Sequence, residues 1–470
     1  MATVSLPPTI YLGMDAATKK PIYVPRSIFG HMHIRGMTGE GKSSLALIPL
    51  VRQFAMPYDL AGVPQYDPIF IIDLGDDANL FWNAKLAADA CGRKFRFLNL
   101  APELESFCFP PFQAVPGGET NPLRIAQMLI RAFHMEHGLV YGGNYFSQQN
   151  LGALLRVSRK LSKETENPRL EDVARYLDDP KNRRQFKDAD QVRMTFDFLL
   201  EYPQLRASTN AEENIDIAHI LDSQDGGITY FFCPTLEEPI TAPLVAGLAL
   251  YTIISAAIQR RRRGLPRRRI RVYIDEFQEI IGRSLAALLA QSRKFHISLF
   301  LANQSTTQVQ NRDLDLADQV FEGTRIKQYY TCVGEDDVKT LQSLSKDKIK
   351  TLGGTSGPGL QATSNRREII VPSLERDEII DVTDTFGDSF LVIKDGKGHR
   401  EPIRCRQTHD YQDLSDKPLT PRKMSVAPPA PSTLNRAPTP PRDSPERRRR
   451  QDLLRALIER KRAAEAWETN

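Results

Sequence analysis

Apolar and polar positions along the chain follow two alternating patterns. Seven short runs are apolar at nearly every position: "HMHIRG" ahead of residue 37, "PIFIIDL" (68–74), "KFRFLNL" (94–100), "GITYFFC" (227–233), "IRVYIDE" (270–276), "ISLFLAN" (297–303) and "IKQYYTC" (326–332). Runs without a polar face belong to strands covered on both sides, as in a parallel sheet. Between them, "NLFWNAKLAADACG" and "RSLAALLAQSRKF" repeat their apolar residues at helical spacing. Strand and helix alternate, which predicts an α/β fold, a mainly parallel sheet joined by right-handed crossovers.

Residues 122–220 break that rhythm. "NPLRIAQMLIRAFHMEHG", "SQQNLGALLRVSRKL" and "RLEDVARYLDD" are helical patterns with no strand among them. They predict an all-helical insertion that divides the α/β domain into 1–121 and 221–410. The stretch Pro239–Ile258 is uncharged and is followed by four arginines, a length and flank that suit a membrane span. Two prolines open it, its strongly apolar part starts only at Leu244, and strand patterns flank it on both sides. A buried core helix is the expectation. Beyond Tyr411 the periodicity dissolves. Nine prolines between Lys417 and Pro445 make 411–443 an extended linker. Ser444 at an N-cap, Pro445 at the first helical position and Glu446 in the first turn restart a helix over 444–470. Leu453, Leu454, Leu457 and Ile458 share one face of it among arginines, a pattern suited to docking on a partner, an acidic membrane surface or nucleic acid. The tail is expected to be disordered up to that short basic amphipathic helix.

With 470 residues the chain can bury a sizeable core. Its net charge of +5 is unevenly placed: 411–470 hold 13 Lys/Arg against 8 Asp/Glu, and 1–410 balance at 50 against 50. A neutral body excludes a histone-like coat for DNA but leaves room for one basic surface. Five cysteines lack any ligand spacing, and no secretory segment opens the chain, which fits reduced thiols in the cytoplasm.

The chemistry starts at "GMTGEGKSSLAL". Gly36, Gly41, Lys42 and Ser43 fit G-x-x-x-x-G-K-[ST], with Gly39 as a further residue without Cβ. Such glycines let the backbone close around an anion at a helix N-terminus. The pattern assigns Lys42 to the β- and γ-phosphates of ATP and the Ser43 hydroxyl to Mg2+, with Ser44 continuing the loop. A second acidic site is required, and "RVYIDEF" supplies it. Asp275 and Glu276 fall at the C-terminal end of a strand, where open α/β sheets bind ligands. Asp275 would hold the metal through water and Glu276 would orient and deprotonate the attacking water. Gln304, just past the next strand, is placed either to sense the γ-phosphate or to serve as a hydrogen-bonded turn residue. Arg293, with Lys294 in the last turn of the helix between these strands, either complements the helix dipole or reaches a neighbouring subunit's γ-phosphate.

The order "HMHIRGMTGEGKS", "FIIDLGD", "NPL", "GITYFFCPTLEEPITAPLVAGLAL", "VYIDEFQEI", "SRKFHISLFLANQS" and "FEGTRIKQYY" resembles the conjugative type IV coupling proteins, the TraG/TraD-like branch of the HerA/FtsK hexameric DNA pumps, over roughly 20–405. The resemblance implies a RecA-like P-loop motor domain with an all-helical domain inserted, assembled as a homo-hexamer around DNA. It maps the nucleotide residues onto Gly39, Gly41, Lys42, Ser43, Asp275, Glu276 and Gln304, and the trans-acting arginine onto Arg293. Its implied partners are DNA, a relaxase and type IV secretion components, and its implied location is cytoplasmic with peripheral association at the inner membrane. Three departures stand out. No span precedes the glycine loop, where members usually carry an anchor. Glu40 stands beside the phosphate site, where a small residue is usual. "DLGD" lacks the lysine common after the second strand, which leaves Asp73 as a strand-end residue. Eight arginines in 260–271 lie at the sheet edge opposite the nucleotide, either as a solvated connector or against a polyanion. The leading expectation is a coupling-protein-like ATPase that moves DNA or a DNA–relaxase complex. The alternatives are a HerA-like translocase working with a nuclease in repair or defence, and an adaptor whose ATP cycle orders a recruitment domain.

Overall fold

The computed structural model describes residues 9–419 apart from 61–62, 102, 112–121, 134, 136–142, 165–168, 184–185, 187–189, 306, 312–313, 331–333, 357–362, 384, 396–397 and 409–411. The expected linker beyond 419, the terminal helix 444–470 and Cys332 lie outside the described residues. The main sheet is built from β1 (Thr9–Asp15), β2 (Pro21–Pro25), β3 (Met32–Arg35), β4 (Ile69–Asp73), β5 (Phe95–Asn99), β6 (Ile228–Phe232), β7 (Ile270–Asp275), β8 (Ile297–Asn303), β9 (Ile326–Tyr329), β10 (Asp388–Asp395) and β11 (Ile403–Arg406), in the spatial order 2-1-11-10-9-3-8-7-4-6-5. The seven strands from β9 to β5 are parallel and coincide with the seven apolar runs. Their side chains are buried on both faces, and β4, β6, β7 and β8 are buried at every position. This is the RecA-like P-loop architecture, with all parallel strands ending at one edge.

The antiparallel strands were not foreseen. β10, β11, β1 and β2 extend the sheet beyond β9. β1 and β2 mix buried, half-buried and exposed positions without a regular period, so neither registers beside the apolar runs. The apolar "SFLVI" of β10, whose end pairs with Gly398–His399, carried a readable signal. A separate two-stranded hairpin pairs Asp347–Ser356 with Thr363–Pro372.

Strand alternation sorts the core into two layers. Ile69, Ile71, Tyr230, Phe232, Tyr273 and Phe300 pack beneath α1 (Ile48–Ala55) and α2 (Ala78–Ala90). Phe70, Ile72, Phe231, Val272, Ile274, Leu299 and Leu301 belong to one cluster with residues of α3 (Pro122–Ala132), α4 (Gly143–Glu164), α5 (Leu170–Asp178), α7 (Asp190–Leu200), α8 (Ile217–Asp222), α9 (Thr241–Arg262) and α10 (Arg283–Gln291), and the short α6 (Pro180–Arg183) follows α5 in the chain. Among the described residues of 122–220, helices are joined by 3-10 turns and loops, and their apolar residues share one hydrophobic cluster with the sheet. α9 is a core helix between the two, and 67% of its most apolar window is buried. At Gly247 any Cβ would collide with the Ala132 carbonyl, so the glycine lets α3 and α9 approach backbone to backbone.

The expected linker starts later than Tyr411. Residues 412–419 run back over α2: the Trp82 indole N–H donates to the Lys417 carbonyl at 3.0 Å, and the Lys417 ammonium lies 3.8 Å from the Trp82 ring centre. Asn83 donates to the Gln412 carbonyl at 2.9 Å, and Leu414 and Leu419 pack against the core. Buried apolar partners, invisible in a proline-rich stretch, hold this strap in place.

Candidate functional site

β3 delivers the chain at Arg35 into the loop 36–41, which turns directly into a π-helical segment, Lys42–Leu47, and then α1. Gly39 (φ 88°) and Gly41 (φ 94°) occupy the left-handed region. A Cβ at Gly41 would lie 2.6 Å from Leu45 Cδ1, and one at Gly36 2.9 Å from Tyr330 Cβ. Alanine at either position therefore forces the loop open. No side chain caps the Lys42–Leu47 segment, so its first N–H groups remain available to an anion, as helix N-termini require when a phosphate is bound.

The acidic half arrives from the far end of the sequence. Because β3, β4, β7 and β8 are parallel, the residues that end them meet at one edge. Ser43 donates its hydroxyl to Asp275 Oδ2 at 3.1 Å, and Lys42 Nζ donates to Glu276 Oε1 at 3.2 Å. Glu276 leaves the strand with φ 52°, a strained left-handed conformation for a side chain of its size, and its Oε2 accepts from Gln278 Nε2 at 2.6 Å and Gln304 Nε2 at 3.4 Å. Gly75 keeps the loop after β4 close, since a Cβ there would stand 3.2 Å from Glu276 Cγ.

Asp73 stands in register beside Asp275 on the neighbouring strand. It accepts from the Gly75 and Asp77 amides at 2.9 and 3.0 Å and from the Tyr230 hydroxyl at 2.7 Å, so it shapes the loop after β4. This agrees with its reading as a strand-end residue. Burial first, and then its neighbours Asp73 and Glu276, push the Asp275 carboxyl up to about 8. Burial likewise raises Asp73 to about 6 despite its Tyr230 hydrogen bond. Asp73, Asp275 and Glu276 thus bring three carboxyl groups to one edge, where the Lys42 ammonium pairs with Glu276. Hard oxygen donors from Ser43 and Asp275 beside that excess of acid fit a magnesium ion.

Gly36, Gly39, Glu40, Gly41, Lys42, Ser43, Ser44, Asp275, Glu276 and Gln304 are thus brought to one edge. Glu40 is half-buried and makes no ion pair among the described residues. Arg293 is not brought there. It is exposed in the 3-10 turn Ser292–Phe295 that follows α10 and leads into β8, at the opposite edge from its own Lys42. Three supporting residues, Arg35, His33 and Gln278, escaped sequence reasoning. Arg35 forms a buried two-pronged pair with Asp337, its Nη2 donating at 2.7 Å, and so ties the strand before the glycine loop to α11 (Glu335–Leu344). His33 Nε2 lies 2.8 Å from Asn303 Oδ1, holding β3 to the strand that carries Gln304. For Gln278 the signal was its place two residues after Glu276. For Arg35 and His33 the partners lie hundreds of residues away.

The fold is that of the RecA-like P-loop class. The unbound bacterial conjugative coupling protein TrwBΔN70 superposes with a TM-score of 0.56 at 16% identity, over 85% of this chain and 89% of that one. The plasmid coupling protein TrwB in complex with ADP and Mg2+ gives a TM-score of 0.56 at 15% identity, over 84% and 89%. VirB4 of Thermoanaerobacter pseudethanolicus gives 0.54 at 13% identity, over 87% of this chain and 99% of that one. No protein-family model matches the chain, and no curated protein matches it in sequence.

Proposed function

We propose that the chain is a magnesium-dependent ATPase of the conjugative coupling type, which uses hydrolysis to move DNA or a DNA–relaxase complex towards a type IV transfer channel. One observation carries the reading: Lys42 and Ser43 meet Glu276 and Asp275 across more than two hundred residues of sequence, at 3.2 and 3.1 Å. In this reading the loop amides and Lys42 bind the phosphates, and Ser43 and Asp275 hold Mg2+. When bound there, the metal would neutralise phosphate charge. Glu276, released from Lys42 when phosphate arrives, accepts the proton of the attacking water, and Gln304 and Gln278 fix its carboxylate. Arg293 acts in trans, on phosphates bound by a neighbouring subunit of a homo-hexamer, since its own sheet separates it from its own loop. The likeness to TrwB bound to ADP and Mg2+ supports the cofactor assignment, and the likeness to TrwB and VirB4 supports secretion components and DNA as partners. A cytoplasmic location, peripheral at the inner membrane through those partners, follows from the same reading.

The test is a pair of variants. Lys42→Ala loses nucleotide binding, measured with a fluorescent ATP analogue. Glu276→Gln keeps binding and loses about 10²–10⁴-fold in turnover. Unimpaired hydrolysis in both would sink the assignment. Stimulation of wild-type turnover by DNA separates a pump from an ATP-regulated adaptor, and co-purification with a relaxase separates it from a nuclease-linked translocase.

A further inference from the structure

Side chains of β3 alternate between the two faces of the sheet. Met32 and Ile34 enter the layer beneath α1 and α2, and His33 takes the other face, buried between its register partners Leu301 and Lys327. An aliphatic residue would fill such a position with no polar group to satisfy. Two contacts set the imidazole apart. Its ring meets that of Phe277 edge to face, with centres 5.8 Å apart, and Phe277 directly follows Glu276. Its Nε2 lies 2.8 Å from Asn303 Oδ1, and Asn303 directly precedes Gln304. The proton in that bond can be assigned. Asn303 Nδ2 donates to the Ser305 carbonyl at 2.7 Å, so Oδ1 faces the ring and accepts from Nε2–H. Burial, and then Arg35, hold the imidazole down to about 3, so it stays neutral.

Asn303 is the hub of the loop that presents Gln304. Its carbonyl accepts from the Gly36 amide at 3.3 Å, where the glycine loop begins. Its side chain closes the turn onto Ser305, and the Gln304 and Ser305 amides both donate to Gln308 Oε1, at 2.9 and 3.1 Å. The Gln304 side chain then reaches both oxygens of the Glu276 carboxylate, at 3.5 and 3.4 Å. Bonds of that length are lost on a small displacement. We propose that His33 is a positioning residue for hydrolysis: donating to Asn303 while its ring bears on Phe277, it holds Gln304 and Glu276 in reach of one another beside the glycine loop. The loop amides and Lys42, which would bind the phosphates, take no bond from His33 among the described residues. Its effect therefore falls on turnover and spares nucleotide affinity. This role rests on the reading of the chain as an ATPase.

The test measures single-turnover hydrolysis at saturating Mg–ATP, affinity for a fluorescent ATP analogue, and Tm, all on the full chain. His33→Phe keeps an aromatic ring beside Phe277 and removes the donor. It should slow turnover by about 10–100-fold, the scale of a displaced reacting group, with analogue affinity within about twofold of wild type. His33→Gln, whose amide can stand where Nε2 stood, should restore most of the turnover. His33→Leu/Asn303→Leu removes both partners, leaves neither of them buried and unpaired, and should show the same slow turnover in a chain that folds. A cycle with Gln304→Ala separates positioning from packing. In the Gln304→Ala chain, His33→Phe should cost no more than about twofold in turnover, while its effect on Tm is the same in both backgrounds. Additive losses in turnover would make His33 a packing residue and overturn the proposal. So would wild-type turnover in His33→Phe, or an affinity that falls in step with turnover. A wild-type chain that binds the analogue and hydrolyses nothing would fail the ATPase reading, and this role with it. An active wild type beside unaffected His33 variants would fail the positioning role alone.

Discussion

Lys327 shows what one residue contributes against the fold. Its side chain is buried on β9, donating to the Thr324 carbonyl at 2.8 Å, with its ammonium 3.0 Å from His399 Nε2 and 4.3 Å from the Phe321 ring centre. Burial first, then Lys394, pushes it down to about 7, with Glu322 opposing. In the unfolded chain a lysine keeps its proton to about 10.4. Between those values the unfolded state binds more protons, so this group makes stability rise with pH. Below 7 both states are protonated and the cost of burying an ammonium applies in full. Lys327→Met should therefore raise Tm near pH 7 and flatten its rise towards pH 10. An unchanged profile by thermal denaturation would show that Thr324 and His399 compensate the charge. Asp275 obeys the same physics with the opposite sign, since burial keeps its proton on. The carboxylate becomes available when a cation enters.

At the scale of elements, the strap 412–419 belongs to the body built on the main sheet. Trp82 is 7% exposed beneath it, and α2 starts at Asp77, whose side chain caps Leu80 at 2.9 Å just after the loop shaped by Asp73. Where the chain is cut therefore matters. Ending it after Arg422 should leave Tm and basal hydrolysis unchanged. Ending it after Thr408 uncovers Trp82 and removes Leu414 and Leu419 from the core, which should cost about 2 kcal/mol. Both cuts remove the second of the chain's two tryptophans, Trp467, so fluorescence then reports Trp82 alone. A red-shifted emission only in the shorter chain is the expected signature. Identical spectra and melting would mean that the strap contributes nothing.

At the scale of the whole molecule, parallel strands put the glycine loop at one edge and Arg293 at the other. A closed catalytic set including Arg293 then needs a second subunit. Hydrolysis should rise more steeply than linearly with protein concentration until rings form. Arg293→Ala should bind ATP and turn it over about 10³-fold or more slowly. Mixed with Glu276→Gln subunits it should regain activity, because an intact Glu276 can then face an intact neighbouring arginine. Near-normal hydrolysis by purified Arg293→Ala would leave only the helix-dipole role, worth about 1 kcal/mol or less.

Local chemistry determined much of this protein. The glycine loop is written in consecutive residues because an anion cradle is a local conformation. The seven parallel strands are legible because burial on both faces demands uninterrupted apolar runs. Asp275 and Glu276 are legible because a strand end marks a ligand edge. What depends on distant partners came only with the tertiary structure. Asp73 stands beside Asp275 because two strands are in register. Arg35 meets Asp337 across 302 residues of sequence. The edge strands form because β10 pairs with β9, and the strap lies down because Trp82 is there to receive it. The arginine segment is the clearest case. Eight like residues are equivalent in sequence, and only their neighbours decide that Arg268 and Arg271 brace the sheet while Arg261 and Arg267 face an open cleft. A guanidinium's role is set by the nearest acid or carbonyl, and folding alone supplies that.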